Sequence, residues 1–243
     1  DYWLRETVDK RLLQHYSGAP FKQFNELYDV DNLWDWINDA FIPFYAQDEY
    51  YNGDAVPAAH MGSTLHTSLI VGRARVRQIR SDTDVTMNFA RYLANTSEET
   101  EFDTPHREAV TRVLELSSGE SRAAFGPGDK YEWSSASELG GLYQWGKYSV
   151  LPPSGFVVDL PTNGTLAREV WQEIYEDRFI DEHTRALLID VTIQNPAQSR
   201  HLVVRLVVEM PAVGGYIGSY SLRPCNIRRW VFYNSLCRAR VRA

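Results

Sequence analysis

Between residues 181 and 215 the chain reads DEHTRALLIDVTIQNPAQSRHLVVRLVVEMPAVGG, and this stretch constrains the fold more than any other. Two apolar runs flank Asn195-Pro196-Ala197-Gln198-Ser199-Arg200, a polar segment whose proline and amides favour a turn. The pattern predicts a long antiparallel hairpin. Pairing centred on the turn sets Ile193 opposite Leu202, Val191 opposite Val204, Ile189 opposite Leu206 and Leu187 opposite Val208. One face is then wholly apolar, while Asp190 meets Arg205 on the other as a cross-strand charge pair. A slip of one residue would exchange the two faces, so burial of the apolar set locks the register.

The rest of the chain supplies something for that face to pack against. Its 243 residues are 44% hydrophobic and 13% aromatic, enough for a sizeable core. Residues 3–13 predict a helix with Leu4, Val8 and Leu12 on one stripe. Asp31 reads as the N-cap of a second helix that presents Trp34, Ile37 and Phe41 and stops before Pro43. Residues 45–67 read as a surface loop and residues 69–80 as one strand, with Arg73, Arg75 and Arg77 alternating onto one face. That face is either solvated and acid-paired or a contact surface. Thr104 and Pro105 open a helix that Gly119 ends. Pro152 and Pro153 mark an edge or bulge between two short strands. Thr165 reads as the cap of a helix with Leu166, Val170 and Ile174 as its stripe. No linker, charge block or repeat divides the chain, so the expectation is a single domain over residues 1–243. Its class is α+β: an antiparallel sheet packed against helices, with an irregular extended excursion over about 81–141.

Catalytic chemistry finds little support. His15, His60, His66, His106, His183 and His201 are scattered without metal-ligand spacing, so no metal is expected. Asp29, Asp31 and Asp35 lack the glycine and closing glutamate of a calcium loop, and capping explains them better. No nucleophile elbow, phosphate loop or dinucleotide fingerprint occurs, and no cofactor or enzymatic activity is expected. Trp34, Trp36, Trp133, Trp145 and Trp171 could stack on carbohydrate, but burial in the core is the simpler reading. The formal net charge of −7 argues against a nucleic-acid partner, because phosphate contact needs a basic face. No run of about twenty apolar residues and no signal peptide is present, so the expectation is a soluble piece. Cys225 and Cys237 are expected as free thiols. Asn95-Thr96-Ser97 and Asn163-Gly164-Thr165 are sequons that would carry glycans in a secretory compartment.

Several motifs together resemble a known family. Phe179-Ile180-Asp181 with Thr184-Arg185-Ala186, then VVRLVVEMPA over residues 203–212 and Gly214-Gly215, are similar to the signature of the polycystin channels. Residues 69–80, Phe125-Gly126-Pro127, Trp145-Gly146 and residues 156–160 resemble further family motifs. Two departures stand out: Ala74 replaces a proline, and no cysteine occurs between Asp1 and Pro224 to staple the excursion.

The resemblance implies the extracellular domain inserted between the first and second transmembrane helices of a tetrameric cation channel of the TRP superfamily. Such a domain would sit on the extracellular or lumenal face of a ciliary, flagellar or plasma membrane. The flanking transmembrane helices are absent here, and residues 220–237 would approach the second of them. The tail turns basic after Trp230, so the piece is cut near there or the tail is not native. Implied partners are further polycystin subunits, as a homotetramer or with a polycystin-1-type subunit. By the same resemblance Arg73, Arg75, Arg77 and Arg80 and the excursion become candidate subunit contacts, with glycans at Asn95 and Asn163 facing outward. Asp181, Arg185, Asp190, Arg205, Glu209, Gly214 and Gly215 are expected in structural roles. The alternative is a binding module of a polycystin-1-type subunit, or one anchoring an extracellular glycoprotein or filament.

Overall fold

The computed structural model describes residues 5–6, 8–13, 23–47, 49–50, 52–57, 62–64, 68–81, 121–196, 200–211 and 215–225. The helix expected over 104–119, Asn95, Gly214, Cys237, most of the excursion and the tail after Cys225 lie outside them.

Among the described residues the chain forms ten strands: β1 (Ser63–Thr64), β2 (Ser68–Ile70), β3 (Ala74–Arg80), β4 (Trp133–Ser134), β5 (Gln144–Trp145), β6 (Val150–Leu151), β7 (Gly155–Leu160), β8 (Thr184–Asn195), β9 (Arg200–Glu209) and β10 (Ile217–Cys225). Eight of them join in one antiparallel sheet, and β5 with β6 makes a separate hairpin. The architecture is α+β, with the strand β8 at its centre. The hairpin of β8 and β9 adopts the register read from the sequence, with Asp190 on Arg205 and Val191 on Val204.

On the far side of β8 lie β2 and β3, end to end along the same edge. The single strand expected over 69–80 is broken at Val71-Gly72-Arg73. There Gly72 takes φ +77°, a conformation that costs glycine little, while the Val71 N–H still reaches the Thr192 carbonyl. Residues 220–225, the start of the stretch expected to approach a membrane helix, belong to the strand β10, paired along β9 from Ile217 to Cys225.

The apolar face carries Val76, Leu187, Ile189, Val191, Ile193, Leu202, Val204, Leu206 and Val208 into the main core. Each fully buried aliphatic side chain there contributes about 1.5–3 kcal/mol. Four α-helical segments are described: α1 (Val30–Trp36), α2 (Ile42–Tyr45), α3 (Ala136–Leu139) and α4 (Gly164–Glu176).

Asp29, not Asp31, caps α1, its Oδ1 accepting the Asn32 N–H at 2.7 Å. The helix also continues past the expected stop at Pro43, through a π turn over Ile37–Phe41 into α2. In that wider turn the Ile42 N–H bonds the Ile37 carbonyl five residues back, which makes room for a proline that cannot donate. The amino-terminal segment is also wound as a π turn over Asp9–Leu13, with Val8, Leu12 and Leu13 buried and the Trp36 indole donating to the Leu12 carbonyl at 2.8 Å.

Asn163 rather than Thr165 caps α4, accepting the Leu166 N–H. The buried stripe is accordingly Gly164, Ala167, Trp171 and Ile174, and Leu166 is exposed. Small residues at Gly164 and Ala167 let the helix approach the core, and Trp171 buries more apolar area than Leu166 could.

Candidate functional site

Alternation along β8 and β9 turns Asp190, Val203, Arg205, Val207 and Glu209 to the second face, and Arg75 and Arg77 of β3 lie beside them. The segment running from α3 through β5 and β6 arches over this face. Between arch and sheet lies a groove of about 780 Å³. Ile79, Leu151, Ala186, Leu188 and Val207 pack into a small second core beneath the arch.

The charges of the groove are arranged in pairs and bridges. Arg205 grips Asp190 with Nε on Oδ1 at 2.6 Å and Nη2 on Oδ2 at 3.2 Å. Arg75 holds Asp159 in the same fork-like way at 2.8 and 3.2 Å. The Asp159 carboxylate raises the pKa of that guanidinium above its ordinary value. Arg77 is only 5% exposed and donates to the carbonyls of Pro152 and Ser154. With its amide oxygen turned toward the sheet, Gln144 accepts from both Arg205 Nη1 at 3.1 Å and Arg77 Nη2 at 3.2 Å. The bridge is neutral, so the groove keeps its positive bias.

Glu209 ties the arch down. Its side chain is 1% exposed, and its carboxylate accepts the N–H groups of Lys147 at 2.6 Å, Tyr148 at 3.1 Å and Ser149 at 2.8 Å, with the Ser149 hydroxyl at 3.0 Å. Successive amides aimed at one carboxylate form an anion nest supplied from within the chain. Gly146 must be glycine here, because a Cβ would enter the van der Waals envelope of that carboxylate. Lys147 completes the tie, donating from Nζ to the Gly218 carbonyl at 2.9 Å.

A second polar knot closes the passage from α4 into β8. Asp181 Oδ1 accepts from the Thr184 hydroxyl at 3.1 Å and from the His183 N–H at 3.2 Å, and its Oδ2 takes Arg80 Nη2 at 2.6 Å. Gln78 donates to the Thr184 hydroxyl at 2.6 Å, and the Arg80 guanidinium lies 3.8 Å over the Phe125 ring. Arg185 donates to the Glu182 and Thr184 carbonyls, and burial lowers its pKa from the usual arginine range. His183 meets Asp181 through its backbone, an arrangement that holds a turn and aligns no base.

The four arginines weighed as contacts therefore divide. Arg73 is exposed and Arg75 half-exposed, but Arg77 and Arg80 are buried within the chain and direct their donors inward. Arg75 fits the acid-paired reading of that face. Trp145, assigned to the core with the other tryptophans, is instead 76% exposed. Glu209 was visible only as part of a motif; its companion Gly146, flanked by Trp145 and Lys147, was the available signal of a close approach. The strand β10 was missed although Gly214-Gly215 announces a turn before it.

Gly215 takes φ +89°, Cys225 is half-buried with its Sγ donating to the Arg223 carbonyl at 3.8 Å, and Asn163 uses Oδ1 as a helix cap. Among the described residues no group of three or more His, Cys, Asp or Glu could hold a metal ion, and no helix is long and apolar enough to cross a membrane. The two guanidinium forks here are filled by Asp190 and Asp159 from within the chain, and Arg223, on the exposed side of β10, adds a further cation to the groove.

Comparisons with known proteins agree with the motifs. The Polycystin domain model matches residues 23–228. The chain is similar to Polycystin-2-like protein 1 of Homo sapiens, 24% identical over 92% of this chain and 27% of that protein. It is similar also to Polycystin-2 of Danio rerio, 26% identical over 91% of this chain and 24% of that protein. A shorter similarity to Polycystin-1 of Homo sapiens, 30% identical, covers 39% of this chain and 2% of that protein. The chain thus spans about a quarter of the length of the polycystin-2-type relatives it matches. The matched span takes in the hairpin, the Asp181 turn and the Glu209 nest, and the chain belongs to the polycystin domain family.

Proposed function

We propose that this chain is the extracellular domain of a tetrameric polycystin cation channel, in which it supports subunit assembly, constrains gating and offers a platform to extracellular partners. The observation that carries the reading is the family match over residues 23–228 together with polycystin-2-type relatives over nine-tenths of the chain. In this reading the domain is a non-catalytic cap. The excursion beyond Ser81 and the exposed Arg73 meet neighbouring subunits, glycans at Asn95 and Asn163 face outward, and the membrane is reached through helices outside this chain.

The test is subunit counting on the full-length protein in its native membrane, by cross-linking and by single-molecule photobleaching. Four subunits are expected, falling to fewer when residues 82–120 are replaced by a short linker. Unchanged tetramers after that replacement refute the assembly role. A second reading, the same domain in a polycystin-1-type subunit, draws on the similarity to Polycystin-1. A long adhesive region upstream of this chain, and channels that form only with a second subunit type, distinguish it.

A further inference from the structure

The geometry points to the groove under the arch as a binding site for an acidic oligosaccharide, one bearing uronate or sulfate groups. This deepens the platform reading and rests on it for where such a ligand is met; the binding itself does not depend on subunit number.

Charge is the first argument. Among the described residues, Arg75, Arg77, Lys147, Arg205 and Arg223 line the groove, and even with Asp190, Asp159 and Glu209 beside them the cations are in excess, on a chain whose net charge is −7. A basic groove on an acidic domain concentrates anions locally and repels them elsewhere. Within it Arg223 is exposed, with Nε on the Ser221 hydroxyl, so this guanidinium stands where a solvated anion can reach it, while the half-exposed Arg75 is held by Asp159. The charges are spread along the floor and rim, which suits a chain of anionic units better than one small ion.

The rim supplies the second argument. Trp145 stands 76% exposed beside the groove, with Tyr143 and Tyr220 also exposed and also lining it. An indole this exposed leaves most of its apolar area in water in the free protein, and its flat face can cover the C–H face of a pyranose while a neighbouring guanidinium takes that sugar's carboxylate or sulfate. The Glu209 nest anchors the backbone immediately after Trp145, so the ring is presented on a held segment rather than a loose one.

The floor supplies the third, and it separates a sugar from a peptide. A peptide strand would bring its own N–H and C=O groups, which need partners. The strands β8 and β9 are paired on both sides, with β2 and β3, with each other and with β10, so their main-chain groups are committed to the sheet; β10, which brings Tyr220 and Arg223 to the groove, is paired among the described strands along β9 alone, and an oligoglutamate peptide tests a strand added there. Sugar hydroxyls in an open groove keep their water and need no such ladder. A bilayer is disfavoured by shape, because a flat lipid surface cannot enter the groove.

Isothermal titration of the 243-residue chain with oligogalacturonate tests this, against its neutral methyl-esterified form, an oligoglutamate peptide and phosphatidylserine vesicles. Binding of oligogalacturonate is expected, weakened by added salt and absent for the neutral form. Trp145→Ala and Arg223→Glu are each expected to weaken it about tenfold or more, with Trp145→Phe retaining most of the affinity. Both sites are exposed, so circular dichroism of the variants serves as the fold control. No binding of oligogalacturonate, equal binding of oligoglutamate, vesicle binding with the same dependence on Trp145, or undiminished affinity in Trp145→Ala each overturns the proposal.

Discussion

Replacing Glu209 is the sharpest test of how this domain holds its second face. The carboxylate is 1% exposed and serves three backbone amides and one hydroxyl of the arch, residues 147–149. In Glu209→Ala those amides lose their acceptor in a partly buried place. At about 1 kcal/mol per stranded amide, the low end because water reaches part of the arch, the loss is about 3 kcal/mol. Glu209→Gln keeps one acceptor oxygen but turns an NH2 group against an N–H, for about half that cost.

Urea denaturation followed by circular dichroism measures both, with Glu169→Gln on the exposed face of α4 as the reference. Gly146→Ala supplies the internal check. Its Cβ would strike the same carboxylate, so it should destabilise the parent chain strongly and cost distinctly less when Glu209 is already Ala. A Glu209→Gln loss no greater than that of Glu169→Gln, or additive Gly146 and Glu209 effects, refutes the nest as the anchor of the arch.

Other expectations follow from the same contacts. Arg205→Ala leaves the half-buried Asp190 without its fork-like partner and is expected to cost about 1–2 kcal/mol, with Arg205→Lys recovering less than half; the same urea titration decides it. Asn163→Asp is expected to abolish any glycan at that sequon while preserving the cap on α4, whereas Asn163→Ala loses both and about 1 kcal/mol of stability, as read by gel mobility and thermal melting.

Burial first and the hydrogen bond to Asp177 second push the Tyr131 hydroxyl up to about 12. Its folded value lies above the unfolded one of about 10, so the associated stability is complete below pH 10 and drains away between about pH 10 and 12. Ultraviolet titration should place one phenol near the upper end, and Tyr131→Phe should remove it. Asp177 behaves oppositely at the acid end. Hydrogen bonds from Lys130 and then Tyr131 hold it below the usual aspartate range, so its contribution is complete above that range and lost as pH falls through the lowered value.

The hairpin, the charge pair of Asp190 with Arg205 and the apolar face of the sheet were legible from residues alone. All three rest on alternation with a period of two, a local property of the chain that any correct register must satisfy. Family membership was legible too, because the motif residues are those that close turns and seat one carboxylate, tasks few substitutes perform.

Cap positions were less so: Asp29 lies two residues from Asp31, and Asn163 two from Thr165, with every candidate able to accept a backbone N–H. The continuation past Pro43 depended on a π turn that no propensity announces. Where the arginines of β3 point their donors, and that Trp145 stands in water while Trp36 is sealed, were decided only by the tertiary structure. Those outcomes turn on what arches over each side chain, here a segment some seventy residues away along the chain from Arg77 and sixty from Glu209. Sequence periodicity reports which residues share a face; it carries no record of what comes to cover that face, and the covering is what makes one arginine a buried strut and another a surface for an anion.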